Sequence, residues 1–458
     1  MMTSASVALA TQPQNTAVRQ PVFALIDCNN FFVSCERLFR PHLNQRPVAV
    51  LSNNDGCVVA RSNEVKALGI AMGEPYFKRR DLLAAHNAVI FSANFPLYGD
   101  IAQRVSDALA RFSPNIVIYS IDEAFLQIDG LSITDYDAWA KEVSRRVGRE
   151  VGIPVSVGVG PSKTLAKLAV ERVKKTPGLR GGYSLAQSLG QSKSSNLLER
   201  EQALRWLPLE DIWGVGRRTA PKLHRIGLRR AYDLTRLNDE WVLKNLTITG
   251  LRTVRELRGE SCIALDEFED DNHQKSLSVT RSFGRKVSSL AELEAAVASF
   301  AARAATRLRR KEQLAWRGVT FLRRQSKIAE RARQVVSAEF SLRVPSSYNG
   351  DIIKGAHQAL QGIYDPNFRY EKSGVILTSL VGEQFQQLDL FADTGQAKRL
   401  KANIDLMRAM DDIDLRYGKK SVVSAAEVYA PNRWKSRQNR VGPAFTTDWQ
   451  QLPVVRLG

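Results

Sequence analysis

The 458-residue sequence is poor in the side chains that most often bind transition metals or cross-link a chain. It contains four cysteines and five histidines, and it has no CxxC pair and no histidine at metal-ligand spacing. These absences argue against a zinc site and against a disulfide framework, and they are typical of a reducing, intracellular setting. We therefore expect the cysteines to be small apolar side chains of the interior.

Long apolar runs are also missing. No stretch approaches the roughly 20 apolar residues that a membrane span needs, and the N-terminus lacks the basic start and apolar core of a secretion signal. We expect a soluble, cytoplasmic protein without a membrane partner and with a disordered lead over residues 1–20.

Acidic residues are outnumbered, 47 against 66 Lys+Arg, which gives a net charge of +19. This charge favours a polyanionic partner, although membrane-surface or ribosomal association would fit it equally well.

Hydrophobic residues make up 44% of the chain, enough for about three domains of roughly 150 residues each. Apolar runs predict strands at 22–27, 46–53 and 153–160, and short helical patterns lie at 63–68 and 136–151. The segment NIVIYSIDEAFLQIDG (115–130) is either a hairpin or a single strand with an acidic tip. Together these elements predict an α+β domain with one sheet.

The second half of the chain differs in composition. Residues 184–202 are polar and rich in Ser and Gln, which predicts a linker or an exposed connection. The segment 207–234 has helical periodicity broken by Gly214 and Gly216, which predicts two short helices joined by a tight turn. Between Arg281 and Arg343 there are 15 Lys+Arg and 5 Asp+Glu, more than half of the net charge of the whole chain. That segment contains one helix pattern followed by two strand patterns, and some of its charges are expected to form only a solvated face.

Three acidic residues lie at the ends of apolar runs. Asp27 ends the first predicted strand, and Asp122 and Glu123 separate two others. An acid at a strand end is usually a solvated turn residue, but adjacent acids between apolar residues repel each other unless a cation is close. Magnesium prefers hard oxygen ligands, and two such ions stabilise both the attacking and the leaving oxygen of a phosphoryl transfer. If the strands are neighbours, the three acids form a two-metal site.

The segment GVGPSKT (158–164) is not a phosphate-binding P-loop, because Ser162 precedes its lysine and the first glycine is missing at the required spacing. Lys163 and Lys167, which follow it, are expected to be solvated helix residues.

Four segments of the sequence stand out, in this order: LIDCNNFFVSCE (25–36), VLSNNDGCVVARSNEVKALGI (50–70), YSIDEAF (119–125) and VGVGPSKTLAKLA (157–169). Together they resemble the Y-family DNA polymerases, and in particular the UmuC-type branch with the catalytic subunit of DNA polymerase V and its plasmid-borne mutagenesis relatives. The resemblance runs from about Val22 to the C-terminus and implies error-prone translesion DNA synthesis in the SOS response to DNA damage. It implies an α+β multidomain right-hand fold with a ferredoxin-like palm, small fingers, a helix-hairpin-helix thumb, an α/β little finger and a polar C-terminal tail.

The same resemblance implies roles for individual residues. Asp27, Asp122 and Glu123 become the catalytic acids that bind two Mg²⁺ ions, with the main-chain carbonyl of Cys28 as a further ligand. Phe32 abuts the sugar of the incoming deoxynucleoside triphosphate, although it could also be an ordinary core aromatic. The positions implied to face the nucleotide are Phe31, Phe32, Asn63, Lys66 and Lys174. Where many relatives carry tyrosine and arginine in the fingers, this chain has Asn63 and Lys66, so it holds the triphosphate less rigidly.

For the damaged primer-template, the resemblance implies contacts from Gly214, Gly216 and Arg217 of the thumb hairpin and from Arg281 of the basic segment. Glycines and helix N-termini can approach phosphates without reading sequence, although a GxG alone could be a simple turn between helices. The implied domains are a lead at 1–20, a palm at 21–38 and 98–190, fingers at 39–97, a thumb at 191–264, a little finger at 275–385 and a tail at 386–458.

The tail begins with a short motif that is similar to the peptides bacterial proteins insert into the sliding clamp, namely Gln387, Leu388, Asp389, Leu390 and Phe391. The alternative is a last core strand.

The resemblance further implies a UmuD-type accessory dimer and the RecA filament as partners. A competing hypothesis is a catalytically silent DNA-binding adaptor of the same fold, but such a chain would be expected to lose acids from the metal site, and all three are present.

Overall fold

The computed structural model describes residues 20–265, 274–326, 333–385, 394–430 and 434–452. The implied clamp motif, 387–391, and the expected disordered lead up to residue 19 lie outside these ranges. The chain divides into two compact units, the first made of residues 1–44, 94–269 and 443–458 and the second of residues 45–93 and 270–442. Among the described helices, none combines the length and apolarity that crossing a membrane requires.

The secondary structure follows the apolar patterns of the sequence closely. The strands are β1 (Phe23–Cys28), β2 (Val48–Leu51), β3 (Val58–Arg61), β4 (Val89–Ser92), β5 (Ile116–Ile118), β6 (Glu123–Gln127), β7 (Val155–Gly160), β8 (Gly182–Ser184), β9 (Ser276–Val287), β10 (Gln313–Ser326), β11 (Arg333–Ser346) and β12 (Phe368–Gly382). The helices are α1 (Phe31–Leu38), α2 (Asn63–Ala67), α3 (Arg80–Ala85), α4 (Phe95–Leu109), α5 (Tyr136–Val151), α6 (Lys163–Lys175), α7 (Lys193–Trp206), α8 (Ala220–Arg225), α9 (Ala231–Thr235), α10 (Asp239–Arg258), α11 (Leu290–Arg309), α12 (Asn349–Ile363) and α13 (Thr394–Tyr417).

The first unit contains a five-stranded sheet in the order β5-β6-β1-β7-β8. All six residues of β1 are buried, as expected for a central strand that reads as a continuous apolar run. Helix α6 packs closely on this sheet, because a Cβ at Gly160 would lie only 2.7 Å from the main-chain nitrogen of Ala166. The segment 115–130 forms the β5–β6 hairpin, so the hairpin alternative was right.

The segment 184–202, predicted as a linker or an exposed connection, is helical in its second half, so the linker alternative was wrong there. Helix α7 begins at Lys193, where the Ser192 side chain accepts a hydrogen bond from the Ser195 main-chain N–H. The helix is mostly polar, and it buries only Asn196, Ala203 and Leu204. So few buried positions leave no apolar stripe in the sequence, which is why composition suggested a linker.

The predicted helix pair around Gly214 and Gly216 was also partly wrong. The stretch before the glycines forms only a 3-10 turn at Leu209–Asp211, and the short helices α8 and α9 both follow them. These elements share an apolar core with α7, α10 and part of α6.

The second unit contains two sheets. The small sheet has the order β3-β2-β4, and the large sheet has the order β11-β10-β12-β9. Helices α11 and α12 cover one face of the large sheet and form an apolar core with it, and this matches the predicted helix and strand patterns of the basic segment. The described part of the tail contains the helix α13, which is fixed to the large-sheet core by a 2.7 Å ion pair between Asp411 and Arg309.

The expectation for the cysteines was half right. All four are free; Cys28 and Cys35 are buried, whereas Cys57 and Cys262 are only half-buried.

Candidate active site

The two predicted acidic strands lie side by side. Strands β1 and β6 are antiparallel neighbours, and their register pairs Asp27 with Glu123. The main-chain N–H of Cys28 donates to the Asp122 carbonyl at 2.8 Å, so the ladder continues to the acidic tip. Ser120 closes this tip, because its Oγ accepts from the N–H groups of Asp122 and Glu123 and donates to Asp122 Oδ1 at 2.6 Å. The two-metal site predicted from the sequence depends on these strands being neighbours, and in the fold they are.

Two lysines of α6 bind two of these acids. Lys174 Nζ lies 2.5 Å from Asp27 Oδ2, and Lys167 Nζ lies 3.0 and 2.9 Å from the two carboxylate oxygens of Glu123. The lysines are seven residues apart, which is two helical turns, so both point from the same face of α6. Charge-assisted contacts of this kind fix the orientation of a carboxylate.

The expectation that Lys163 and Lys167 are solvated was therefore wrong. Lys167 is bound to Glu123, and Lys163 is fully buried. The Lys163 ammonium donates to the Ile263 carbonyl at 2.5 Å and lies 3.9 Å from the centre of the Phe23 ring. The spacing i, i+4, i+11 of Lys163, Lys167 and Lys174 on one predicted helix was the signal that could have found this stripe.

The electrostatics of Asp27 reflect its position in the sheet. The pKa of the Asp27 carboxyl is raised to about 7, mainly by burial and to a smaller extent by the neighbouring Glu123, whereas Lys174 opposes the shift. The register pair of Asp27 and Glu123 brings the two carboxyl groups close together. Two such groups repel each other when both are ionised, so a cation between them is strongly favoured.

The turn at Trp213 and Gly214 lies next to Lys167. Lys167 Nζ is 5.2 Å from the ring centre of Tyr119 and 5.7 Å from that of Trp213, and the Trp213 indole donates to the Tyr119 hydroxyl at 3.2 Å. Gly214 follows with φ +92°, and a Cβ there would lie 2.8 Å from Thr253 Oγ1. The turn therefore requires glycine at this position.

The two aromatic residues after β1 have different surroundings. Phe31 is buried, whereas Phe32 is half-buried and stacks on Tyr98 with ring centres 4.4 Å apart and planes 13° apart. Phe95 meets the Phe32 ring edge-on at 5.9 Å, and the Tyr98 hydroxyl donates to the buried Glu36 at 2.8 Å. Phe32 is thus held firmly, yet part of its ring is accessible.

Comparison with known proteins identifies the family. A model described as the impB/mucB/samB family matches residues 26–171, its C-terminal domain matches 274–390, and a domain of unknown function, DUF4113, matches 405–455. Protein UmuC of Salmonella typhimurium is 37% identical over 95% of this chain and 100% of its own length. The chain belongs to the UmuC-type Y-family DNA polymerases.

Two further similarities concern the sequence and the fold. DNA polymerase IV of Corynebacterium diphtheriae is 31% identical over 51% of this chain and 49% of its own length. A solved Y-family DNA polymerase chimera of Dbh and Dpo4 superposes with a TM-score of 0.60 over 79% of this chain and 99% of its own, at 18% identity, which shows the shared fold. The UmuC-type chain is a DNA-directed DNA polymerase of translesion synthesis.

In this polymerase, the two residues expected in the fingers lie on α2 in the second unit. Asn63 and Lys66 are both exposed, and α2 begins with a cap in which the Ser62 side chain accepts from the Val65 N–H. Lys174, the third position implied to face the triphosphate, instead contacts Asp27 in the first unit.

The large sheet of the UmuC-type chain has an open face opposite its two helices. On this face the register pairs Arg323 with Lys372 and Lys372 with Ser282, whereas Arg317 lies six residues away along β10, opposite Ser341. Arg281, implied to contact DNA, lies opposite the buried Ser373, and by strand alternation it faces the helix-covered side. The pKa of Arg303 on α11 is lowered, first by burial and second by the positive charge of Arg281. The structure therefore does not bring Arg281 together with the open-face residues.

The donor set of the acidic tip suits a hard divalent cation. Carboxylate oxygens are the ligands that Mg²⁺ prefers, and Asp27 and Glu123 stand in one register pair. Within the described ranges, however, no three acidic, histidine or cysteine side chains converge as a metal cage. The residues fit the ion chemically, and lysine ammonium groups lie on two of the three carboxylates.

Proposed function

We propose that this UmuC-type chain adds deoxynucleotides to a primer 3′ end opposite damaged template, with Asp27, Asp122 and Glu123 as ligands of two Mg²⁺ ions. The observation that carries the proposal is the register pair of Asp27 and Glu123 on adjacent strands. Two ions bound there would stabilise the attacking and leaving oxygens of an in-line phosphoryl transfer. The main-chain carbonyl of Cys28 is a candidate further ligand, since this residue directly follows Asp27.

Lys167 and Lys174 have a positioning role in this proposal. Each holds one carboxylate by a charged contact, and so the acids are oriented before substrate binds. Preorganised charges cost no rearrangement during the reaction, and for this reason they stabilise a transition state well. The Lys174 side chain is long and flexible, so when the nucleotide binds, its ammonium group can leave Asp27 and contact a triphosphate oxygen instead.

Nucleotide and DNA contacts complete the proposal. Asn63 and Lys66 bind the triphosphate from the exposed face of α2, and Phe31 and Phe32 lie beside the sugar. The half-buried Phe32 ring, held by Tyr98, would exclude a 2′-hydroxyl by shape. The thumb residues Gly214, Gly216 and Arg217 and the open face of the large sheet bind the backbone of the primer-template, a contact that neutralises phosphates without reading sequence.

The remaining partners follow from the UmuC-type membership. We infer binding of the sliding clamp through residues 387–391, of a UmuD-type accessory dimer and of the RecA filament, in a cytoplasmic setting. A five-residue clamp contact is expected to be weak, on the order of micromolar.

Primer extension on damaged and undamaged templates tests the proposal. The purified chain, supplied with the accessory subunit, is compared with the double variant Asp122→Ala, Glu123→Ala and with the matched control Glu142→Gln on the exposed surface of α5. We expect the double variant to lose extension by about 1000-fold or more, because it lacks two of the three ligands that stabilise the developing charge. The control is expected to retain full activity.

Equal extension by the wild type and the double variant would remove the catalytic assignment, and absence of extension in both would favour the DNA-binding adaptor. Binding of labelled primer-template, measured on the same samples, shows whether a loss of extension is a loss of catalysis or a loss of DNA binding. The double variant should still bind DNA, since its changes leave the large sheet and the thumb intact.

A further inference from the structure

A short piece of the C-terminal tail bridges the two sheets of the second unit. This piece, Trp434–Arg440, is called the clasp below; it lies within the match to the domain of unknown function. At the large sheet, the Trp434 carbonyl accepts a hydrogen bond from the Gly284 N–H of β9 at 3.2 Å. The Trp434 ring is 5% exposed and meets Phe300 of α11 edge-on at 5.3 Å. A Cβ at Gly284 would collide with the Lys435 carbonyl oxygen, so the clasp lies flush against the strand.

The other end of the clasp pairs with the small sheet through main-chain atoms. The Ser92 N–H of β4 donates to the Arg440 carbonyl at 3.0 Å, and the Arg440 N–H donates back to Ser92 Oγ at 3.0 Å. Asp55 receives the Asn439 N–H at 3.2 Å and the Ser92 hydroxyl at 2.6 Å on its two carboxylate oxygens. The Arg440 guanidinium lies 5.4 Å from the centre of the Tyr76 ring. This reciprocal pairing resembles the addition of an extended peptide to a sheet edge.

Asn54 joins all three segments. Its side-chain amide donates to the carbonyls of Ser282 and Phe283 on β9, each at 3.2 Å, and its side-chain oxygen accepts from the Arg437 N–H at 2.8 Å. Asn54 and Asp55 both have a left-handed backbone, with φ +63° and +49°. Asn and Asp tolerate this conformation better than most residues, but it still has a conformational cost, so the three-way junction stabilises a strained loop.

The tail is held on the large sheet independently of the clasp. Asp411 of α13 forms two hydrogen bonds with Arg309 at 2.7 and 2.9 Å, and Met407 is buried. The clasp is therefore a tethered segment beside its docking surface, and such tethering gives a high effective concentration to a weak contact.

We propose that the clasp is a cis-acting peptide that fastens the small sheet to the large sheet by docking on Ser92, Asp55, Asn54 and Gly284. Its release removes one of the two connections between the small sheet, which carries α2, and β9, and leaves the direct hydrogen bonds from Asn54 to Ser282 and Phe283. This assigns a role to the tail region that family comparison leaves without a function. The consequence for nucleotide binding by Asn63 and Lys66 rests on the proposed function, whereas the docking itself does not.

Residue-resolved hydrogen exchange of the full-length protein tests the docking. The Ser92 amide donates to the clasp, whereas the next amide, Ala93, donates to Leu51 within the small sheet at 3.0 Å. We expect Asn54→Ala to accelerate exchange at Ser92 by at least tenfold with little change at Ala93. The matched control is Asn439→Ala, since the clasp uses the main chain of Asn439 and this variant keeps the bond to Asp55.

The full-length variant Arg437→Pro, Arg440→Pro provides the second measurement, because proline cannot donate the main-chain hydrogen bonds that Arg437 gives to Asn54 and Arg440 gives to Ser92. Its Ser92 amide should exchange as fast as that of Asn54→Ala. Unchanged exchange at Ser92 in both variants would overturn the proposal. Equal acceleration at Ser92 and Ala93 would overturn it as well, because the clasp would then be part of the fold of the small sheet.

Discussion

In the first unit, Lys167 and Lys174 each contact a single carboxylate of the acidic tip, whereas in the second unit basic side chains are spread over an open sheet face. The first arrangement is specific: each ammonium fixes one acid at 2.5 to 3.0 Å. The second presents charge over several strands without one focal point. Chemistry at a phosphorus atom depends on fixed positions, whereas neutralising a phosphate backbone depends mainly on the number of charges.

This difference predicts unequal consequences of losing one positive charge. Replacing a lysine of the first unit that contacts an acid should lower the catalytic rate strongly and the affinity for DNA little. Replacing an arginine of the open face should lower the affinity for DNA and leave the catalytic rate nearly unchanged, with a small effect for each residue.

Lys167→Met should give the largest effect. The variant removes both contacts to Glu123 while retaining most of the side-chain volume, and loss of a residue that orients a metal ligand typically costs about 10- to 100-fold in metal affinity or activity. Single-turnover extension at a range of Mg²⁺ concentrations should show a lower rate and a higher half-saturating Mg²⁺ concentration. Direct binding of Mn²⁺, followed by electron paramagnetic resonance, should weaken in parallel.

Two comparisons make the role of Lys167 testable. Lys167→Arg retains the charge and should recover part of the activity, although a planar guanidinium cannot reproduce the same geometry. Lys141→Met on the exposed side of α5 loses a charge without contacting the acids and should behave as the wild type. If Lys167→Met lowers DNA affinity as much as it lowers the rate, the contrast between the two units fails.

Phe32→Ala should have an intermediate effect. Loss of the ring opens space beside the proposed sugar position, so discrimination against ribonucleotides should fall on the order of tenfold, as expected for one steric contact in a pocket. The measurement is the ratio of kcat/KM for a deoxynucleotide and its ribonucleotide. Phe95→Ala removes an edge-on neighbour of both Phe32 and Tyr98 but keeps the Phe32 ring, and it serves as the control. A thermal-unfolding scan separates this effect from lost packing on Tyr98, and unchanged discrimination would make Phe32 a core aromatic.

Much of the fold could be predicted because local signals agreed with tertiary packing. Helix α5 spans the predicted 136–151 since its apolar stripe coincides with an Asp135 cap at one end and Gly152 with φ +79° at the other. Strand β1 was evident as an apolar run, and the acidic hairpin was one of two alternatives. The pairing of Asp27 with Glu123 could be stated only as a condition, because sequence spacing does not fix which strands are neighbours.

The rest depended on contacts between distant segments. Lys167 looked like a solvated residue because the spacing of the three lysines shows only that they share one face of α6, and not that this face brings the Lys167 ammonium to Glu123, 44 positions away. The tail looked polar throughout, yet Trp434 and Phe445 are buried, and Phe445 stacks on Phe39 with ring centres 4.7 Å apart. Single aromatic anchors in a charged segment carry no periodicity, so only the fold shows what they contact.

Loss of Arg317 and Arg343 from the open face should give the smallest effect of the three. By strand alternation both residues lie on the face opposite α11 and α12, and both are exposed. Each arginine that contacts a phosphate should reduce the slope of log affinity against log salt by about 1, with a uniform loss of affinity across sequences. Fluorescence anisotropy of Arg317→Ala, Arg343→Ala on two unrelated primer-templates would measure this slope, with Lys354→Ala on the outer side of α12 as the control.

Single-turnover extension at saturating DNA should stay within about twofold of the wild type, because bulk phosphate contacts position the duplex but do not act on the reacting phosphorus. A large loss of rate at saturation would mean that the open face positions the primer end, and the division between a focal and a distributed use of charge would no longer hold.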